Sequence, residues 1–209
     1  MSTTVYAGVG RVEPGQVDGL VRDLAGARGI HGVVLLDPGD GVHPLVLASR
    51  VRGVRPDWPV VVPLVSRDRN RTALLAEVRG AGALGAAGLL VLAGHLEPVP
   101  AARPVYELDP AQMIGWLREC GVGLELWAMG RCATPAERAR CRVLARVGAD
   151  RLLVPADGMP PAPDLGAPEP VALADGGALP GPGWEGRAVV WPVGPGAVAP
   201  PPGLPGGPA

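Results

Sequence analysis

The chain has 209 residues and a mass of 21.3 kDa, which fits one domain of ordinary to large size with enough apolar side chains for a sizeable core. Its formal charge of −1 and pI near 6.3 supply no basic field, so nucleic acid and an anionic membrane surface are poor partners. All 19 basic residues are Arg and Phe is absent, while Gly reaches 32 and Pro 26, a bias that suits a GC-rich coding sequence and carries little functional weight.

The first ten residues, MSTTVYAGVG, contain no basic segment followed by an apolar one, and no apolar stretch approaches the roughly 20 residues of a membrane span. The expected location is the cytoplasm. Cys120, Cys132 and Cys141 are odd in number and lack CxxC spacing, which argues against a disulfide framework or zinc knuckle. Cys120 and Cys141 are expected as small core residues on helices, and Cys132, in a loop, as the one thiol open to reaction.

Eight Val/Leu-rich runs follow one another along the chain: TVYAGVG, GVVLLD, PVVVPLV, GLLVLAG, GLELWA, RLLVP, PVALAD and AVVWPV. They are apolar almost throughout, as expected for strands covered on both faces in a parallel sheet. Helical patterns separate them. Val17, Leu20, Val21 and Leu24 recur at helical spacing, as do Met113, Trp116, Leu117 and Cys120; Leu45, Ala48 and Val51 follow His43-Pro44, and Leu74, Leu75 and Val78 follow a charged junction. DPAQ from Asp109 and TPAE from Thr134 each place a cap, a Pro at the first helical position and a reciprocal Gln or Glu at the third. ERARCRVLAR is expected as an amphipathic helix with Val143, Leu144 and Val147 inward.

Eight strands alternating with helices predict an α/β fold of the (β/α)8 barrel type, with an open doubly wound sheet as the alternative. Such barrels typically run to about 250 residues. The shortfall falls near the end, where Pro/Gly-rich connections stand in place of the last helices. Residues 1–193 are therefore expected to form one barrel domain and residues 194–209 a disordered Pro/Gly-rich tail.

In a barrel of this kind the functional groups stand at the carboxyl ends of the strands. There the sequence places Asp37, Ser66 with Arg67, Asp68, Arg69, Asn70 and Arg71, then Gly94 with His95, and later Asp157 and Asp175. The junction at 67–71 is the densest. Five consecutive side chains of directional hydrogen-bonding type exceed what a merely soluble loop needs, which points to a site. The plainer alternative is a rim network of ion pairs with Asn70 capping the following helix. A metal site built from His31, His43 and His95 is disfavoured, because His31 precedes its strand and so lies at the opposite end.

SRDRNRTALLAEVRGAGALGAAGLLVLAGH, residues 66–95, resembles the signature of the methylenetetrahydrofolate reductase family, in which an Arg-Asp-Arg-Asn-Arg junction opens a Leu/Ala-rich helix leading through Ala-Leu-Gly to a strand. Weaker similarity extends over about residues 30–155. The resemblance implies a (β/α)8 barrel that reduces a methylene or C=N group of a folate with NAD(P)H, in most members through FAD and in a few without flavin. It implies cofactor-binding roles for Arg67, Asp68, Arg69, Asn70, Gly94, Tyr106 and Asp109, with the junction at 67–71 placed for a phosphate- or glutamate-bearing ligand, because the planar Arg fork donates parallel hydrogen bonds to such anions. Asp37 and Asp157, read as polar groups at the carboxyl rim, are the candidate substrate-binding residues. Departures accompany the resemblance: His95 stands where the family has an acid and becomes the candidate proton donor, the family's Glu after strand one has only Glu13 nearby, Pro63 replaces a His, and Val154 and Pro155 replace a Gln. A relative that binds flavin, folate or a partner protein without catalysis, as a subunit or regulator, is the other implied possibility, and a protein partner or a homo-oligomer is expected as possible with either.

Overall fold

A computed structural model describes residues 3–36, 41–94, 105–155, 169–174, 188–194 and 196. Eight parallel strands close into a barrel in strict chain order: β1 (Thr4–Val9), β2 (Gly32–Leu35), β3 (Val60–Val65), β4 (Gly88–Leu92), β5 (Glu125–Met129), β6 (Arg151–Pro155), β7 (Glu169–Leu173) and β8 (Ala188–Val193). The last returns to the first, with Thr4 opposite Ala188 and Val9 opposite Val193. This closed (β/α)8-type architecture is the one expected from the sequence, and it excludes the open sheet.

Five helices wrap the described part: α1 (Val17–Gly26), α2 (Pro44–Val54), α3 (Arg71–Ala83), α4 (Pro110–Glu119) and α5 (Pro135–Arg146). Their starts follow from local chemistry. Asp109 and Thr134 accept the backbone N–H groups of Gln112 and Glu137, whose side chains return the bond to the cap N–H. Asn70 caps α3 through the Ala73 N–H at 2.9 Å, and His43 caps α2 through Nδ1 and the Leu45 N–H at 3.2 Å. The expected Pro/Gly-rich replacements of the last helices, and nearly all of the expected tail, fall outside the described residues. Gly196 is described, and its N–H donates to Asp23 at 3.0 Å.

Because strand side chains alternate, two cores form. Tyr6, Val34, Val61, Leu90, Trp127, Leu153, Val171 and Val190 fill the barrel, with the Tyr6 and Trp127 rings edge to face at 5.5 Å. The opposite strand faces pack under the helices, where Leu20 and Leu24 of α1, Leu74 of α3 and Leu117 of α4 are almost wholly buried. Each such side chain contributes roughly 2 kcal/mol. Helix α5 departs from expectation: Val143 is exposed, Leu144 and Val147 are only partly buried, and Cys141 is its one fully buried residue among those described. Cys120, expected in the core, instead stands at the C-cap of α4 in an exposed position. No helix among the described residues is long and apolar enough to cross a membrane.

Candidate functional site

The carboxyl mouth is set by the positions that follow the interior residues by two. Leu36, Leu92 and Leu173 pack onto the barrel core from this side. The same alternation brings Met129, which is exposed, to the rim of β5, and Pro192 to that of β8. One step beyond Val65 the alternation reaches Arg67, which is 9% exposed. The collar is therefore apolar, with a buried guanidinium on its β3 side.

How Arg67 is held explains the charged junction. Asp68 adopts a left-handed backbone, φ 62°, turning the chain sharply after Arg67. Its N–H donates to the Val105 carbonyl at 2.8 Å and its Oδ1 accepts the Val105 N–H at 2.9 Å, so one residue clamps the incoming segment from both sides. Arg67 and Tyr106 then pair as an antiparallel bridge. The second Asp68 oxygen lies 3.1 Å from Arg67 Nε. Across from it, Gly94 has φ 95°, and a Cβ there would stand 2.7 Å from Val65 Cγ1 and 3.0 Å from Arg67 Cβ. The glycine makes room for the Arg67 stem.

The rest of the junction is engaged in the fold. Arg69 pairs with Glu77 of α3 at 2.6 Å. Arg71 pairs with Glu107 at 3.0 Å, the same carboxylate accepts the Arg71 N–H, and the guanidinium lies 5.7 Å from the Trp116 ring centre. Asn70 and Asp109 are helix caps. Glu77 and Glu107 were missed as partners because nothing in the linear sequence ties a carboxylate 8 or 36 residues away to a given Arg. Tyr106 is brought beside Arg67 but is largely exposed. Together with Ser66, Ala93, Glu107, Asp109 and Gln112, it borders a cleft of about 260 Å3 between β3, β4 and the start of α4. The expected Asp37, His95, Asp157 and Asp175 lie outside the described residues. His31 binds the Val5 N–H through Nδ1 at 3.1 Å, and no group of three or more His, Cys, Asp or Glu suited to a metal occurs among the described residues.

No family model matches the chain, and no curated protein does. Solved structures share its fold. A 2,3-dimethylmalate lyase described as a member of the PEP mutase/isocitrate lyase superfamily matches with a TM-score of 0.59 at 15% identity, over 90% of this chain and 75% of its own. A phosphoenolpyruvate phosphomutase from Streptomyces platensis subsp. rosaceus matches with 0.53 at 16% identity, over 83% and 69%. An uncharacterized protein from Clostridium thermocellum that binds two copies of 5-methyl-5,6,7,8-tetrahydrofolic acid matches with 0.60 at 10% identity, over 83% and 65%. At such identities the likeness establishes the barrel.

These findings correct the family expectation. The chain is not assigned to the methylenetetrahydrofolate reductases, and folate reduction is set aside with it, because no family model supports it and the lyase and mutase barrels match over most of the chain. The physical reason the motif misleads is visible in the junction. Asp68, Arg69, Asn70 and Arg71 satisfy a tight turn, a helix cap and two ion pairs within this fold, so the residues that carry the resemblance have structural roles of their own.

Proposed function

We infer that this barrel binds a small carboxylate- or phosphate-bearing molecule at its carboxyl mouth and acts on it as a lyase or mutase. The observation that carries this is the position of Arg67, nine-tenths buried on the inner rim above the Leu36, Leu92 and Leu173 collar. A buried guanidinium paired with Asp68 suits an anionic group as a further partner, and an apolar collar suits the carbon body attached to such a group. The neighbours named as a 2,3-dimethylmalate lyase and a phosphoenolpyruvate phosphomutase are named for compounds of that description, and this supports the reading by analogy of fold.

Calorimetric titration with 2,3-dimethylmalate, malate, phosphoenolpyruvate and pyruvate, with carbon and phosphorus NMR following conversion, tests it. At least one acid should bind and be converted. Arg67→Met should weaken binding about 10- to 100-fold, the loss of a charge-assisted hydrogen-bond pair. Arg67→Lys should recover only part, because a point charge does not replace the fork. Equal affinity of parent and Arg67→Met for the bound acid, or no binding across the panel, would sink the proposal.

A further inference from the structure

Cys132 and Cys141 are 9 positions apart, yet their sulfur atoms are 3.1 Å apart and both residues are buried. Cys132 lies in the loop leaving β5 at the carboxyl rim, and Cys141 in the second turn of α5. Three features hold them together. Arg138 Nη1 donates to the Cys132 and Ala133 carbonyls at 3.0 and 3.1 Å, which pins the loop to the helix. Cys141 Sγ donates to the Arg131 carbonyl at 3.1 Å, leaving the Cys132 S–H to point at the Cys141 sulfur. Gly130 admits that sulfur, since a Cβ there would stand 2.7 Å from it.

We propose that Cys132 and Cys141 form a thiol–disulfide site, oxidised by low-molecular-weight disulfides, that fastens the β5–α5 loop of the mouth to helix α5. One thiolate attacks a sulfur of the small disulfide, forming a mixed disulfide and releasing one small thiolate. The second cysteine sulfur then attacks the protein-bound sulfur, closes the intrachain bond and releases the second small thiolate. The two protons given up by the cysteines end on the two small thiols, so the protein loses two hydrogens and the oxidant gains them. Bond formation removes the S–H donor from the Arg131 carbonyl, which lies two residues after Met129. Burial, then the Cys141 contact, raises the Cys132 thiol to about 12, so attack by Cys132 is slow at neutral pH and faster in mild alkali.

The test uses the full chain with Cys120→Ser, because Cys120 is exposed and would form bonds between molecules. Samples started from the reduced native state and from the oxidised state are equilibrated at pH 8.5 in glutathione buffers, with and without urea. The pair is then quantified by acid trapping, alkylation and peptide mass spectrometry. Oxidation appears as a loss of about 2 Da on a peptide linking Cys132 to Cys141. Folded protein should favour the disulfide about 100-fold more than the urea-unfolded chain, the loop-closure expectation for a ring of this size. Convergence of both folded samples on free thiols, on single glutathione adducts, or on a disulfide no more favoured than in urea would overturn the proposal.

Discussion

Gly94→Ala puts the support of Arg67 under a controlled strain. The backbone at Gly94, φ 95°, costs an L-residue about 1–2 kcal/mol. The added methyl would stand 2.7 Å from Val65 Cγ1 and 3.0 Å from Arg67 Cβ, well inside the usual ~3.5–4.0 Å contact between carbons. Neither neighbour is free to give: Val65 is 6% exposed, and the chain at Arg67 is held by the Tyr106 bridge and the Asp68 clamp. Overpacking of this kind adds about 1–3 kcal/mol. The sum, about 2–5 kcal/mol, corresponds to a melting temperature lower by roughly 5–15 °C at this chain length. Thermal denaturation followed by circular dichroism reads the stability, and a titration with the acid bound by the parent reads the guanidinium. Both should suffer. A variant melting within about 2 °C of the parent and binding as tightly would show that the rim yields, and would refute the claim that Gly94 shapes the Arg67 position.

Arg118 joins the end of α4 to the starts of β5 and β6: it donates to the Gly148 carbonyl at 3.0 and 2.9 Å and to the Val122 and Leu124 carbonyls at 3.2 and 3.3 Å, and it also pairs with Asp150. Arg118→Met keeps the stem and strands those carbonyls, so a loss of about 3 kcal/mol is expected in urea denaturation, and an unchanged midpoint would count against it. The Glu137 carboxyl is held below its usual range, first by the backbone hydrogen bond at Thr134. Its folded pKa is thus below the unfolded one, and its contribution is present above about 4.3 and lost as pH falls through the folded value. The melting-temperature gap between the parent and Glu137→Gln should narrow from pH 6 to pH 3; a gap independent of pH would assign the cap no charged component.

Strand order and helix starts were legible because both are written locally. A run such as PVVVPLV, apolar on both faces, is stable only between a packed barrel interior and a helix layer, and DPAQ or TPAE carries every atom its cap requires. The site was legible only in part. Arg67 stood out at the end of β3, but its burial depends on Asp68 turning the chain and catching Val105, 37 positions away, which no spacing rule announces. The same limit hid the cysteine pair. Helical periodicity placed Cys141 in the core, as it is, yet the loop that returns Cys132 onto it is set by the Arg138 contacts rather than by any pattern in the chain. The amphipathic pattern points Val143, Leu144 and Val147 inward, but on a helix with Arg138, Arg140, Arg142 and Arg146 the buried stripe narrows to the Cys141 side.

The two ends of the barrel are unlike, and the difference bears on where a ligand can enter. At the amino end Trp127 fills the axis edge-on to Tyr6, its Nε1 donating to Glu125 at 2.9 Å. Arg151 closes over it, 3.2 Å from the same carboxylate and 5.3 Å from the indole centre. Each polar group there meets another, and the pair of rings leaves the interior filled. At the carboxyl end the fill stops at leucines, above which stands a guanidinium braced from the side by Asp68 and given space by Gly94. A charge is costly to withdraw from water unless something compensates it. On the function proposed above, a ligand would enter at the carboxyl end, where the interior fill stops at leucines, and not at the amino end, which Tyr6, Trp127 and Arg151 close.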